Sequence, residues 1–568
     1  MRLTSTLIAC ITLALPTLAC GQSADPRTGL LDAMKAELDR NARSLKVDEY
    51  DPPYFISYRV TERDQAGVEA RFGAIVSDGR DRGRVASVDV RVGDYSFDSS
   101  PEPDDILFME PLTFRPPHEA PVDDDPTALR STLWLLTDGA YKDALSTYLR
   151  KKARKVTEVQ KDEPVDSFSK EQPITDIEAP LSPAIDRARW AAMARRLSAR
   201  FKAMPELLEG AVRIGVDHDR VFLVTSEGTR MVRESAIYQI AFDAVTRAPD
   251  GLLLDQGRTL YGRSFAELPD EAALAEMIDQ SIADLRALRA APVADPFTGP
   301  AILEPEATGV FFHETIGHRL EGERQNDENE GQTFKGQMGQ SILPDFITVR
   351  DDPTRVKYDG VSLNGHYRHD DQGVASRDTV LVDKGVLRSF LTSRTPIEGT
   401  KRSNGHGRAQ GVRRPMARMG NLIIEGHAPV SRAKLKEMLL AEVKAQGKPY
   451  GLIIRDITGG STNTSNYGYQ AFKGTPRMVY RVDAETGDET LVRGVEMVGT
   501  PLTAVSKVMA TSTEVGVFNG YCGAESGYVP VSAVAPAALF REIELQRTQR
   551  EKEKPPVLPP PWAASGGQ

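Results

Sequence analysis

The sequence predicts an α+β protein of two domains, an N-terminal mixed α/β domain followed by a strand-rich C-terminal domain. Three observations carry that expectation. At 568 residues the chain is longer than one hydrophobic core serves. Helical and strand-like stretches come in separate runs, not in strict alternation. APVADPFTGPAI, residues 291–302, is a breaker-rich stretch after which the pattern changes.

Residues 1–19 read as a secretory signal, with Arg2, an apolar run from Leu7 to Leu15, then Pro16 and small residues before Cys20. The run is too short for a spanning helix. Export to the periplasm or another extracytoplasmic space is expected. Cys20 then heads the mature chain, either free or lipidated as its sole membrane anchor.

The N-terminal domain is expected over 25–295. GLLDAMKAELDRNA (29–42) has helical spacing. Residues 54–98 alternate apolar and polar, as in YFISYRV and ASVDVRV, and predict strands joined by charged turns such as SDGRDRG. A Pro- and Asp-rich loop follows at 98–127, with helices predicted at 128–156, 184–204 and about 270–291. The C-terminal domain is expected over 300–548, with short strands such as NLIIEG and YGLIIRDI and one helix at 432–446. The Pro-rich residues 549–568 predict a disordered tail.

The net charge of -10 disfavours nucleic acid and anionic lipid as partners. The one dense basic run, YLRKKARK at 148–155, reads as a solvated helix end. Of three cysteines, Cys10 lies in the signal and Cys20 at its end. Cys522 is left without a disulfide partner in an oxidising compartment. Either it is a small buried hydrophobe or coordination to a metal protects its thiolate.

VFFHETIGHRLEGE, residues 310–323, contains His-Glu-x-x-x-His, one residue longer than the familiar zinc-protease spacing. On a straight α-helix residues five apart differ by about 140° around the axis, against about 40° for four apart. A π-type bulge near Gly317 is expected to realign the two histidines. His313 and His318 would supply two ligands, and Glu314 would be the general base. The alternative is a pair of satisfied structural histidines. Spacing does not locate a third ligand; Glu321 and Glu323 lie close by, but such acidic residues are more often solvated or hydrogen-bonded to a ligand.

HETIGHRLEGE resembles the signature of the TldD/PmbA family of bacterial metallopeptidases. LNGHYRHDDQGVASRDTVLVDKGVLRSFL (363–391), SNGHGRAQGVRRPMARMGN (403–421), ITGGSTNTSNYGY (457–469) and GYCGAESGYVPVSAVAPAALF (520–540) resemble family segments in the same order. The resemblance implies a metal held by His313, His318 and Cys522, with Glu314 as base. It also implies one zinc ion per chain, a peptide substrate, and a homodimer or a heterodimer with a motif-less paralogue.

His366, His369 and His406 read as loop residues, with the sharper option that one of them, or Arg408, stabilises an oxyanion. GGSTNTS (459–465) is a substrate-groove lining or a plain turn. The function expected is zinc-dependent hydrolysis of short or unfolded peptides. Its rivals are a zinc amidase acting on cell-wall material and a non-catalytic scaffold with a structural metal.

Overall fold

A computed structural model describes residues 25, 27–47, 49–100, 117–155, 165–466, 472–499, 501–548, 553–554 and 556–563. The expected signal 1–19, Cys20 and most of the 98–127 loop lie outside the described residues. No helix among the described residues is long and apolar enough to cross a membrane.

The first domain is one long-stranded sheet. Strands Phe55–Arg71, Ala74–Arg91, Leu207–Thr225, Arg230–Arg247 and Leu253–Gly262 pair antiparallel, and the short Thr175–Ile177 adds in parallel. Alternation along these strands puts Ile56, Tyr58, Val60, Ala66, Val68 and Ala70 on one face. The four helices among the described residues of this domain cover that face. Arg27–Ser44 and Pro126–Lys155 share one core with Tyr58 and Phe222. Arg187–Ala199 and Glu271–Ala290 share another with Val68 and Ile214. A belt of paired charges separates the two cores: Glu62 with Arg84, and Glu234 with His218 at 3.0 Å.

SDGRDRG is not the turn its composition suggested. It lies inside strand Ala74–Arg91, where Arg80, Arg82 and Arg84 pair with Asp64 and Glu62 on the neighbouring strand. The chain reverses instead at Phe72 and Gly73, both with positive φ, as a tight hairpin turn requires. Cross-strand ion pairs thus let a charged, glycine-containing run stay extended.

The opposite face of this sheet meets the second domain through arginines. Arg59 Nη2 donates to the carbonyls of Gly411 (2.9 Å) and Arg413 (2.6 Å). Arg233 pairs with Asp371 at 2.7 Å.

In the second domain, strands Phe297–Leu303, Gly527–Arg547, Val495–Gly499, Phe472–Asp483 and Tyr450–Thr462 pair in succession, and the last pairs back to the first. That closed ring extends from Gly527–Arg547 through Asn421–Gly426 and Ile347–Asp351 to Thr379–Asp383, while Val508–Ala524 forms a hairpin with Gly527–Arg547. Helix Pro305–Thr315 packs on the ring, buried at every position from Ala307 to Thr315, with Ala307, Val310, Phe311 and Phe312 in the core and His313 and Glu314 among its buried polar groups. A Cβ on Gly309 would stand 3.2 Å from the Cβ of Ala533, so glycine lets the helix approach the strand closely.

The tail, expected to lack order, has no helix or strand in its described residues. Part of it is nevertheless docked: the Trp562 ring lies 4.7 Å from that of Phe72, and Glu553 pairs with Arg247. The indole thus packs on the half-buried phenylalanine of the hairpin turn.

Candidate metal centre

Helix Pro305–Thr315 begins with proline at its first position and ends just after the histidine–glutamate pair. The expected π-type bulge is absent. The helix stops at Thr315, Ile316 leaves the helical path at φ -112°, and a 3₁₀ turn Gly317–Leu320 carries the second histidine. The departure at Ile316 is what redirects the chain and returns His318 to His313, since a 3₁₀ turn winds more tightly than an α-helix and would by itself carry a side chain five residues on further round. Gly317 serves packing more than backbone freedom, since an added Cβ would collide with the Met419 sulfur.

Arg319 holds this helix end. Its Nη1 donates to the carbonyls of Glu314 (3.0 Å) and Thr315 (3.2 Å) and to Thr462 Oγ1 (3.1 Å). A guanidinium therefore satisfies helix C-terminal carbonyls and ties them to strand Tyr450–Thr462.

The other component comes from the hairpin. Cys522 pairs with Val529 across it, three residues into the strand from the glycine turn at Gly527. Its Sγ lies 3.2 Å from His313 Nε2 and 3.3 Å from His318 Nε2, and all three donor atoms fall within 4.8 Å of one another. The imidazole planes stand at 87°. All three residues are buried. Ligands of a tetrahedral zinc ion, with bonds of about 2.0–2.3 Å, sit roughly 3.3–3.6 Å apart. The donor set fits such an ion. A pair of merely satisfied histidines would each direct Nε2 to its own acceptor, whereas here both converge on one thiol. Burial works to raise the Cys522 thiol, but the charges of His318 and His313 outweigh it and hold the thiol well below its usual range.

Glu321, held in reserve as a ligand, lies behind the histidine. Its Oε2 is 3.0 Å from His318 Nδ1, which leaves Nε2 for a metal. Burial opposes its charge, yet His318, Arg324 and Arg418 hold its carboxyl far below the usual range. Arg324 continues the chain to Glu525 at 3.0 Å. Glu323 points away and accepts hydrogen bonds from Ser393 and the Ala417 amide.

Glu314 sits beside the cluster, its Oε2 4.0 Å from His318 Nε2. Metal ligands and base together line an open cleft of about 440 Å³. One wall is Thr458–Thr462 with Thr464, so most of GGSTNTS borders the groove.

The remaining polar candidates serve the scaffold. His406 is fully buried between Asn404 and Asp351. His366 contacts the Pro353 carbonyl, and His369 pairs with Asp176. Arg408 donates to the carbonyls of Met419 and Pro530 and lies over the Tyr367 ring. None of the four lines the cleft. Sequence reasoning missed Arg319, Arg324 and Arg418. The only signal for the first two was their place in HRLEGER, directly after the motif.

Residues 297–547 match the family of PmbA/TldA metallopeptidase C-terminal domains. A metalloprotease of Methanocaldococcus jannaschii is 30% identical over 316 residues, 55% of this chain and 64% of that protein. A zinc metalloprotease TldD homolog of Saccharolobus solfataricus is 26% identical over 253 residues, 43% of this chain and 51% of that one. The chain thus spans between about half and 64% of the length of these curated relatives. TldE from Thermococcus kodakarensis shares the fold at a TM-score of 0.57 and 14% identity, with 90% of this chain and 100% of that chain covered.

Proposed function

From the match of residues 297–547 to the PmbA/TldA metallopeptidase C-terminal domain, we propose that the chain is a TldD/PmbA-type zinc-dependent metallopeptidase acting on short or unfolded peptides. The observation that carries this reading is the convergence of His313, His318 and Cys522 on one point, with Glu314 beside them in an open cleft. A structural metal site would have no need of that carboxylate or of access from solvent.

A single zinc ion per chain, when held there, supplies a Lewis acid and an acidified water. The rest falls to the protein. Glu314 accepts the proton of the attacking water and returns it to the departing amine. Glu321 fixes the His318 ring so that Nε2 faces the cleft. The Thr458–Thr462 edge pairs with substrate main chain, a contact indifferent to sequence.

In this proposal residues 1–19 direct export, so that the substrates are extracytoplasmic peptides, and the working form is a dimer with itself or with a motif-less paralogue. Zinc content, measured with hydrolysis of an unstructured peptide in wild type and Glu314→Gln, tests the proposal. One zinc per chain in both, with turnover only in wild type, supports it. Equal behaviour of the two would favour a scaffold. Cleavage of cell-wall fragments but not peptides would favour the amidase.

A further inference from the structure

The cleft has two unlike ends. Along strand Val508–Ala524, Phe518 lies four residues before Cys522, roughly 13 Å at strand rise. Gly520 separates them on the same face, and a Cβ there would stand 3.0 Å from the Phe518 ring. That ring therefore lies over Gly520 toward the ligands, in a space that only glycine leaves open. Val531 is directly across the hairpin from Gly520. Val310, one helical turn before His313 and Glu314, completes the bank. Val310, Phe518 and Val531 all line the cleft, and Phe518 is only partly covered. Past Cys522 in the other direction stand Glu525, Arg324 and Thr464, joined by hydrogen bonds of 3.0–3.2 Å.

We infer that the Val310–Phe518–Val531 bank is a recess for an apolar side chain of the substrate residue next to the scissile bond. This rests on the peptidase reading, which it deepens. Main-chain pairing along Thr458–Thr462 holds a peptide without regard to sequence. A recess lined by Val310, Phe518 and Val531, with Glu314 the one charged group beside it, then selects which residue stops there. A Leu or Phe side chain would cover Phe518 and lose water, whereas Asp would lose solvation with no partner there and Lys would find only Glu314, which the Glu314→Gln background removes.

Binding separates this inference from catalysis. Full-length Glu314→Gln protein, zinc-loaded, would be titrated with labelled Gly/Ser peptides carrying one central Leu, Phe, Ala, Asp or Lys. Leu and Phe peptides should bind about tenfold more tightly than Ala, Asp or Lys peptides. Phe518→Ala in the same background should remove most of that advantage, and Phe518→Asp should reverse it toward Lys, with zinc content and melting temperature as folding controls. Equal binding of all five peptides, or a preference untouched in a folded Phe518 variant, would overturn the recess. Wild type would be tested for cleavage of the same panel. Discrimination in binding without cleavage would sink the peptidase reading and leave the recess standing. Cleavage with no discrimination would do the reverse.

Discussion

Arg418 donates from Nη2 to the carbonyl oxygen of Cys522 at 2.7 Å. Its Nη1 reaches Ser526 Oγ and the Gly527 carbonyl in the same hairpin, while its Nε lies 3.3 Å from Glu321 Oε1. One buried guanidinium thus holds both the strand that supplies sulfur and the carboxylate that orients His318. The three ligands come from two segments about 200 residues apart (|i−j| = 209 and 204), and this network sets their separation.

Glu321→Gln should therefore weaken zinc about 10–100-fold without removing a ligand. The amide still accepts from His318 Nδ1 but loses the charge that steadies the ring and faces two arginines. Competition against a chromophoric chelator measures it. Affinity equal to wild type would mean that Glu321 only packs the loop.

Cys522→Ala should lower zinc content as far as His313→Ala does, because each removes one of three donors. Metal analysis of the purified variants decides. A cysteine variant that held zinc as wild type does would show that the thiol is no ligand.

How much of this was legible depended on the range of the interaction. The helices 29–42 and 432–446 announce themselves by local periodicity and are found at Arg27–Ser44 and Arg432–Ala445. His313, His318, Glu314 and Cys522 carry chemistry in their residue types; the structure puts the donor atoms of His313, His318 and Cys522 within 4.8 Å of one another and Glu314 beside them. The bulge was misread because spacing records only the angle to be absorbed; Met419 and Arg319, contacts made on folding, decide that a helix end at Ile316 absorbs it. SDGRDRG was misread as a turn because its partners, Asp64 and Glu62, lie on another strand. Arg418 gave no signal at all, since an arginine that binds carbonyls looks like any surface arginine in sequence.

Acid should unfold the N-terminal domain through Glu62. This carboxylate is 1% exposed and pairs with Arg82, Arg84 and Arg220. Burial raises its pKa, but the arginines outweigh burial and the net shift is downward. A carboxylate with a depressed folded pKa stabilises fully above its unfolded value of about 4.3, and that stability is lost as pH falls through the lower folded value. Glu62→Gln should cost about 3 kcal/mol at neutral pH, and the gap to wild type should close below about pH 4. Urea unfolding from pH 7 to 3 measures it; a gap independent of pH would assign the loss to packing alone.

Gly460 separates positioning of the base from metal binding. A Cβ at this position would stand 2.6 Å from Glu314 Cγ and 3.2 Å from the Phe472 ring. Gly460 is paired with Gly474 in the strand, so the wall cannot retreat without breaking its ladder. Phe472 is buried in the core, so the flexible Glu314 side chain is what gives way. Gly460→Ala should then leave zinc content and melting temperature near wild type while peptide turnover falls about 10²-fold, the loss expected when a general base is misplaced. KM should change little if the strand edge still pairs with substrate. A rise in KM with kcat unchanged would instead make Gly460 a feature of the substrate groove, and loss of zinc would mean that Glu314 helps to hold the metal.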